Sequence, residues 1–340
     1  MYMGRGDRRV HGESDKSAMN VSICTLYEGD YHLGVSALAN SLINAGYSGT
    51  LWIGYRGAMP PWIGQLTPVD SEEYGQGIQA YSVNGLARLA FVPVSTDTHF
   101  TNYKPDFMQQ ILQRLDRECE YLWYFDPDIY LFTNPYADFY CPWSFFEKWG
   151  RYGIAVCQDM LYQVMPECDL LRLQWKEILE ANERPVMRSL VQHYNAGMIG
   201  LPRESAEFLE IWKELIAYAQ SVGYDTAGFL KGSRMDPMHA VDQDAMNMAL
   251  MCTEYPMASM GPEAMGFIVG GFTMYHAVIS KPWRYRFLRS ALAGNPPVSA
   301  VKEFFNHVSS PIRSYDSLTL MRKKMECRIA GLIGRFYARR

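Results

Sequence analysis

Residues 121–131, Tyr-Leu-Trp-Tyr-Phe-Asp-Pro-Asp-Ile-Tyr-Leu, decide how this chain of 340 residues is read. Five uncharged apolar and aromatic residues make a short buried strand, and Pro127 ends any ladder that would continue it. Asp126 and Asp128 emerge where the strand stops. Two residues apart in extended backbone, they project from the same side. A pair of carboxylates on one edge suits a hard divalent cation such as Mn2+ or Mg2+, which takes carboxylate oxygens together with substrate phosphate oxygens. The same pair also suits a turn in which Asp128 caps the backbone after Pro127, and the pair alone does not choose between them.

Working outward, short β-branched or apolar runs at 21–26, 50–55, 88–94, 153–157, 196–201 and 274–278 predict further strands. Apolar residues at helical spacing predict helices over 34–42, 107–118, 206–220 and 245–251. Strands alternating with helices imply an α/β fold with a mostly parallel sheet, whose ligands bind at the carboxyl ends of the strands. No repeat and no GxGxxG is present, and Gly270-Gly271 has the wrong spacing for one.

Composition bounds the function. With 48% hydrophobic, 14% aromatic and 20% charged residues the chain has material for a large core, which excludes disorder as its main state. A formal charge of −4 argues against nucleic acid as a partner. That charge is uneven: residues 318–340 hold seven basic residues against one acid, a local +6 that leaves −10 for the other 317 residues. Seven scattered cysteines without a C-x-x-C pair read as reduced, mostly buried thiols of a cytoplasmic protein. Residues 1–19 are polar, lack an apolar h-region and are expected to form a disordered tail. An Arg5-Gly6-Asp7 triplet in that tail is a chance occurrence of common residues.

Four more segments carry chemistry. His276 closes the 274–278 run and is followed by Lys281-Pro282-Trp283. An imidazole completes a manganese site and a lysine binds phosphate, though a lone histidine also serves as a satisfied core residue. Asn195 in residues 193–197 (HYNAG) offers donors and an acceptor to a sugar hydroxyl, or shapes a turn with Gly197. Asp242-Gln243-Asp244 opens a helical run, where acids also complement a helix amino terminus. The last segment is 25–31, at the end of the first strand.

In chain order these segments resemble the retaining glycosyltransferases of GT-A fold that include glycogenin and the bacterial lipopolysaccharide galactosyl- and glucosyltransferases, glycosyltransferase family 8. The resemblance covers residues 20–284. Its opening segment is VSICTLYEGDYHLGVSALANSL, which implies that Tyr31 stacks on the nucleotide base and that Thr25 and Asp30 line its pocket. YFDPDIYLF matches the family's D-x-D and implies that Asp126 and Asp128 ligate manganese. YNAGMIGL implies a donor-sugar contact from Asn195 and Gly197, and VDQDAMNMAL implies that Asp242 and Gln243 face the reacting anomeric carbon. HAVISKPW implies His276 as third metal ligand and Lys281 on the diphosphate. Here the chain is one residue shorter than the family pattern and lacks its glycine. Lys104 matches a basic residue ahead of the D-x-D, and Asp159 an acidic sugar contact. The resemblance thus implies transfer of a hexose from a nucleotide-diphosphate sugar, a UDP-sugar, to a saccharide, lipid-linked or protein-linked glycan acceptor, with retention. A nucleotidyltransferase making the sugar nucleotide is the alternative within enzymes, although no glycine-rich basic loop follows the first strand. A non-catalytic sugar-nucleotide-binding protein is the alternative outside them.

Residues 138–183 match no family segment. Their Trp143, Phe145, Phe146 and Trp149, with Trp175, offer faces for sugar stacking or for core packing. Residues 285–340 read as a helical extension, basic and amphipathic from 318, which predicts either a peripheral contact with an anionic membrane or a terminal helix packed on the domain.

Overall fold

The computed structural model describes residues 19–70, 72–132, 142–160, 164–228, 236–268 and 273–336. The expected tail before Met19, the Gly270-Gly271 pair, Cys141 and the basic Arg339 and Arg340 lie outside the described residues. The elements in chain order are β1 (Val21–Glu28), α1 (His32–Asn44), β2 (Thr50–Arg56), β3 (Thr67–Pro68), β4 (Gln79–Val83), β5 (Ala87–Pro93), α2 (Lys104–Gln110), β6 (Tyr121–Phe125), β7 (Ile129–Leu131), α3 (Trp143–Gly150), β8 (Ile154–Gln158), α4 (Leu170–Ala181), β9 (Tyr194–Pro202), α5 (Glu207–Ser221), α6 (Val241–Met251), β10 (Met257–Met260), β11 (Met274–His276), α7 (Phe287–Leu292), α8 (Ser299–Phe304) and α9 (Ser317–Phe336).

The main sheet runs β10-β8-β9-β6-β1-β2-β5-β4-β3. β1 pairs in parallel with β2 and β6, β2 with β5, and β8 with β10, whereas β9 runs antiparallel between β6 and β8. This direction decides where the site lies. The carboxyl ends of β1, β6 and β8 share one edge, and the reversed β9 brings its amino end, Tyr194 and Asn195, to that edge opposite Gln158 and Cys157. The register of β8 against β9 shifts between Val156 and Cys157, an irregularity of the kind that re-aims side chains beside functional sites.

Strand alternation sends side chains to two cores. On one face Leu26, Tyr124 and Ile199 pack with Phe107 of α2, Trp175 of α4, Trp212 of α5 and Met246 of α6. On the other, Ile23, Trp123 and Met198 pack with Leu38 of α1 and Trp143, Phe146 and Trp149 of α3. Those aromatics are core, with Trp123 within 5.4–6.4 Å of Trp143, Phe146 and Trp149 ring centroids. Trp175 is likewise buried, so none of these four presents a face to a sugar.

Two sequence expectations shift. The helix expected over 107–118 begins at Lys104, with Pro105 in its first turn, where a missing N–H costs nothing, and passes into a π-turn at Ile111–Leu115. After Asp128 the chain forms a strand that the sequence pattern did not give, β7, which pairs antiparallel with β11 and sets Ile129 opposite His276.

The carboxyl-terminal elements have their own core. Trp283, Phe287, Val301, Phe304, Phe305, Cys327 and Ala330 pack there with Tyr130 and Ala37. α9 docks through Cys327 and Ala330, while Leu318, Met321, Met325, Ile329, Leu332 and Phe336 stay exposed. At 100° per residue the exposed residues form one stripe opposite the docked face. Five of the six described cysteines are buried and Cys168 is exposed; all six are free thiols.

Candidate functional site

A cavity of about 420 Å³ opens at the sheet edge where β1, β6, β8 and β9 meet. Eleven of the thirteen residues singled out above line it: Tyr31, Lys104, Asp126, Asp128, Asp159, Asn195, Gly197, Asp242, Gln243, His276 and Lys281. Thr25 and Asp30 do not. Thr25 is fully buried in β1 with its hydroxyl unpartnered, short of the strand end where Leu26, Tyr27 and Glu28 line the cavity. Asp30 is taken by the guanidinium of Arg284, whose Nε donates to it at 2.7 Å, and that pair holds its carboxyl below the ordinary range.

The turn after β6 is held by backbone. Asp126 N–H donates to Gly197 O at 2.7 Å and Ile129 N–H to Asp126 O at 3.0 Å. β11 adds Ala277 N–H to Asp128 O at 3.0 Å. Two glycines the sequence reading left without this role make the approach possible. A Cβ on Gly34, in the first turn of α1, would overlap the Pro127 carbonyl oxygen, and one on Gly197 would overlap the His276 ring. Gly197 therefore makes room for His276. The signal for Gly34 was a glycine inside a helical pattern.

Asp126, Asp128 and His276 form the one carboxylate–histidine cluster among the described residues whose ligand atoms all lie within 4.8 Å of one another. His276 Nε2 is 3.7 Å from Asp126 Oδ2 and 3.5 Å from Asp128 Oδ1. The second oxygen of each carboxylate faces a lysine: Lys104 Nζ lies 3.2 Å from Asp126 Oδ1, and Lys281 Nζ pairs with Asp128 Oδ2. Two hard oxygens and an imidazole nitrogen thus converge, with the outer oxygen of each carboxylate held by a lysine and His276 Nδ1 buried without a partner, a donor set that fits a hard divalent cation. The shortened segment between His276 and Lys281 still delivers the ammonium to this cluster.

Burial raises Asp126, and Lys104 and His276 offset only part of it, whereas at Asp128 the neighbouring Lys281 and His276 overcome burial and hold the carboxyl well below its usual range. Lys104 is driven down by burial and up by Asp126 and Asp242, and ends above its ordinary value. Its three donors have partners: Asp242 Oδ2 and Ala196 O at 2.9 Å each, and Asp126. With only 1% of its surface exposed, it braces the site from behind and is not free to meet a diphosphate.

Beside this cluster, lining the same cavity, lies a net of amides. Asn195 Nδ2 donates to Asp159 Oδ2 at 2.9 Å and to Gln243 Oε1 at 3.0 Å, and Gln243 Nε2 donates to Asp159 Oδ2 at 3.3 Å. Asn247 stitches α6 to β9 through Tyr194 N–H and Tyr194 O at 2.9 and 2.8 Å. The acids at the start of α6 also serve the helix end, since Asp244 Oδ2 accepts Ala240 N–H at 2.9 Å. Tyr31 stands at the mouth, edge-on to Trp283 at 5.3 Å, with Arg284 and Lys281 5.1 and 5.8 Å from its ring centre. His193 and Asp244 also line the cavity and were not among the expected site residues.

No family model and no curated protein matches this sequence. Among solved structures the chain is similar to the glycosyltransferase GlyE of Streptococcus pneumoniae TIGR4, with 11% identity and a TM-score of 0.46 over 92% of this chain and 64% of that one. The chain spans less than two-thirds of GlyE's length.

Proposed function

We propose that this protein is a metal-dependent glycosyltransferase that moves a hexose from a nucleotide-diphosphate sugar, a UDP-sugar, to a saccharide or glycoconjugate acceptor with retention. The observation that carries this reading is one cavity whose first wall is a cation-fitting Asp126–Asp128–His276 cluster beside Lys281 and whose second wall is a hydrogen-bonding net of Asp159, Asn195 and Gln243.

Departure of a nucleoside diphosphate through an oxocarbenium-like transition state loads negative charge onto the leaving phosphate. A bound divalent cation supplies charge neutralisation there. Lys281, already at the cluster, adds a cationic donor to the departing oxygens. Tyr31 holds the base at the cavity mouth, and Asp159 and Asn195 orient the sugar hydroxyls. Asp242 and Gln243 sit on the first turn of α6 and border the anomeric centre. The test is sugar transfer or release from a radiolabelled UDP-sugar panel with Mn2+ and with EDTA. Thermal stabilisation by UDP with Mn2+ but no turnover on any donor would refute the transferase reading and leave a binding protein.

The stripe on α9 supports peripheral contact with an anionic membrane surface. Arg322 borders the exposed apolar residues on one side, and Lys324, Arg328 and Arg335 on the other, an arrangement suited to an interfacial helix. No helix among the described residues is long and apolar enough to cross a membrane. Met325→Glu with Ile329→Glu should abolish pelleting with phosphatidylglycerol vesicles and leave turnover of soluble substrates intact; undiminished pelleting would exclude α9 as the contact.

A further inference from the structure

Gln243 is held by four groups at once. Its Oε1 accepts from Asn195 Nδ2 at 3.0 Å and from Ala196 N–H at 3.1 Å, and its Nε2 donates to Asp159 Oδ2 at 3.3 Å and meets His193 Nδ1 at 3.4 Å. This fixes which end of the amide is oxygen. Reversed, the NH2 would face the two donors of Asn195 and Ala196, and the oxygen would face a carboxylate.

His193 is 1% exposed, lies on the cavity wall and stacks on Trp175 at 5.5 Å and 26°. Its other nitrogen, Nε2, faces Asp244 Oδ1 at 3.4 Å. Asp244 is in turn anchored by Ala240 N–H. A carboxylate accepts and cannot donate, so the imidazole proton belongs on Nε2 and Nδ1 is left as an acceptor for the Gln243 amide. The chain therefore runs from the backbone just ahead of α6, at Ala240, through Asp244 and His193 and returns to Gln243, one residue before Asp244 on the same helical turn.

We infer that His193, with its tautomer set by Asp244, is a positioning residue that locks the Gln243 carboxamide at the reacting centre. The inference rests on the reading that Gln243 borders the anomeric carbon, so two readouts are needed, one of which requires no turnover. Three variants separate the two imidazole nitrogens. His193→Asn keeps an acceptor where Nδ1 stood, His193→Gln reaches instead toward Asp244, and His193→Phe keeps the ring and the stack on Trp175 but neither nitrogen.

In full-length protein with 15N-labelled glutamine, hydrogen exchange of the Gln243 side-chain amide should be slow in the parent and in His193→Asn, and at least tenfold faster in His193→Gln and His193→Phe. In the transfer assay, kcat should fall on the order of 100-fold for His193→Phe and His193→Gln, with donor KM and stabilisation by UDP with Mn2+ unchanged, because a reacting group misplaced by about 1 Å loses that much. His193→Asn should keep most of kcat. Equal exchange rates in all four proteins, or His193→Gln matching His193→Asn, would overturn the positioning role. Slow exchange obeying the expected order without any transfer by the parent would sustain the lock and reject the transferase reading instead. Should His193→Phe fail to fold, the order of the Asn and Gln variants decides.

Discussion

On one wall of the cavity Asp126, Asp128, His276, Lys104 and Lys281 hold one another by charge, and on the other Asp159, Asn195, Gln243 and His193 hold one another mainly through amide and imidazole hydrogen bonds. The first wall keeps its carboxyl groups away from their ordinary pKa in opposite directions, and each aims one oxygen at His276. It is arranged to respond to an added charge. In the second wall, the Gln243 carboxamide already has a partner for every donor and lone pair, which suits it to holding a shape against a neutral sugar. Lys104 joins them, because its ammonium touches Asp126 of the first wall and Asp242 and Ala196 O of the second.

The largest expected effect breaks the charged wall. Asp128→Asn removes the carboxylate that faces both Lys281 and His276, and transfer should fall by about 100- to 1,000-fold, the cost of losing one preorganised electrostatic group. Stabilisation by Mn2+ should vanish while the fold survives, which calorimetry with and without the cation reports. A variant that still transfers in a Mn2+-dependent way would remove the metal-site argument.

The joint between the walls is next. Lys104→Met leaves two buried carboxylates facing each other, and urea unfolding should show a loss of about 3–5 kcal/mol, the cost of breaking a buried charge pair from one side. Adding Asp242→Asn should restore part of that stability and none of the activity. No loss in the single variant would mean that the carboxylates find other partners and that the walls are not coupled through Lys104.

How much of this was legible in the sequence follows from what each element depends on. β1, β2, β5 and β6 are apolar runs buried on both faces, so local composition announces them. β4 was missed although Asn84-Gly85, with φ of 51° and 71°, is a hairpin signal between it and β5. Asp126, Asp128 and His276 were legible as a group that could hold a cation because strand ends place them in order. Thr25 and Asp30 lie off the cavity because the last three residues of β1, Leu26, Tyr27 and Glu28, reach it and Thr25 stops short, and because a partner 254 residues away, Arg284, takes Asp30. The burial of Trp143, Phe146 and Trp149 in α3 and the exposure of the apolar stripe of α9 follow from packing, because helical periodicity groups apolar residues on a face without saying whether a neighbour covers it.

A gentler substitution perturbs the charged wall without touching a ligand. Gly197→Ala puts a methyl group into the His276 ring first and against Asn195 Oδ1 second. The ring must move, and Mn2+ half-saturation in the transfer assay should rise by roughly 10- to 100-fold, the usual effect of disturbing a group that orients a ligand. Excess Mn2+ should recover most of kcat. An unchanged metal requirement would show that β9 yields more easily than the ring and that Gly197 serves the sugar wall alone.

The last test falls on the hydrogen-bonded wall and completes the contrast. Asn195→Ala deletes donors to Asp159 and Gln243 and an acceptor for Gly197 N–H, leaving every charged group in place. Unpairing such groups costs about 1–3 kcal/mol, so kcat/KM for the donor should fall by roughly 10- to 100-fold. Because the missing bonds are amide bonds, the Mn2+ half-saturation should stay where it is. This opposes the Gly197→Ala result, although the two residues are neighbours on one strand. If instead Asn195→Ala moved the metal requirement as far as Gly197→Ala, the two walls would titrate as one unit, and the division between a charge-responsive and a shape-holding side would be wrong.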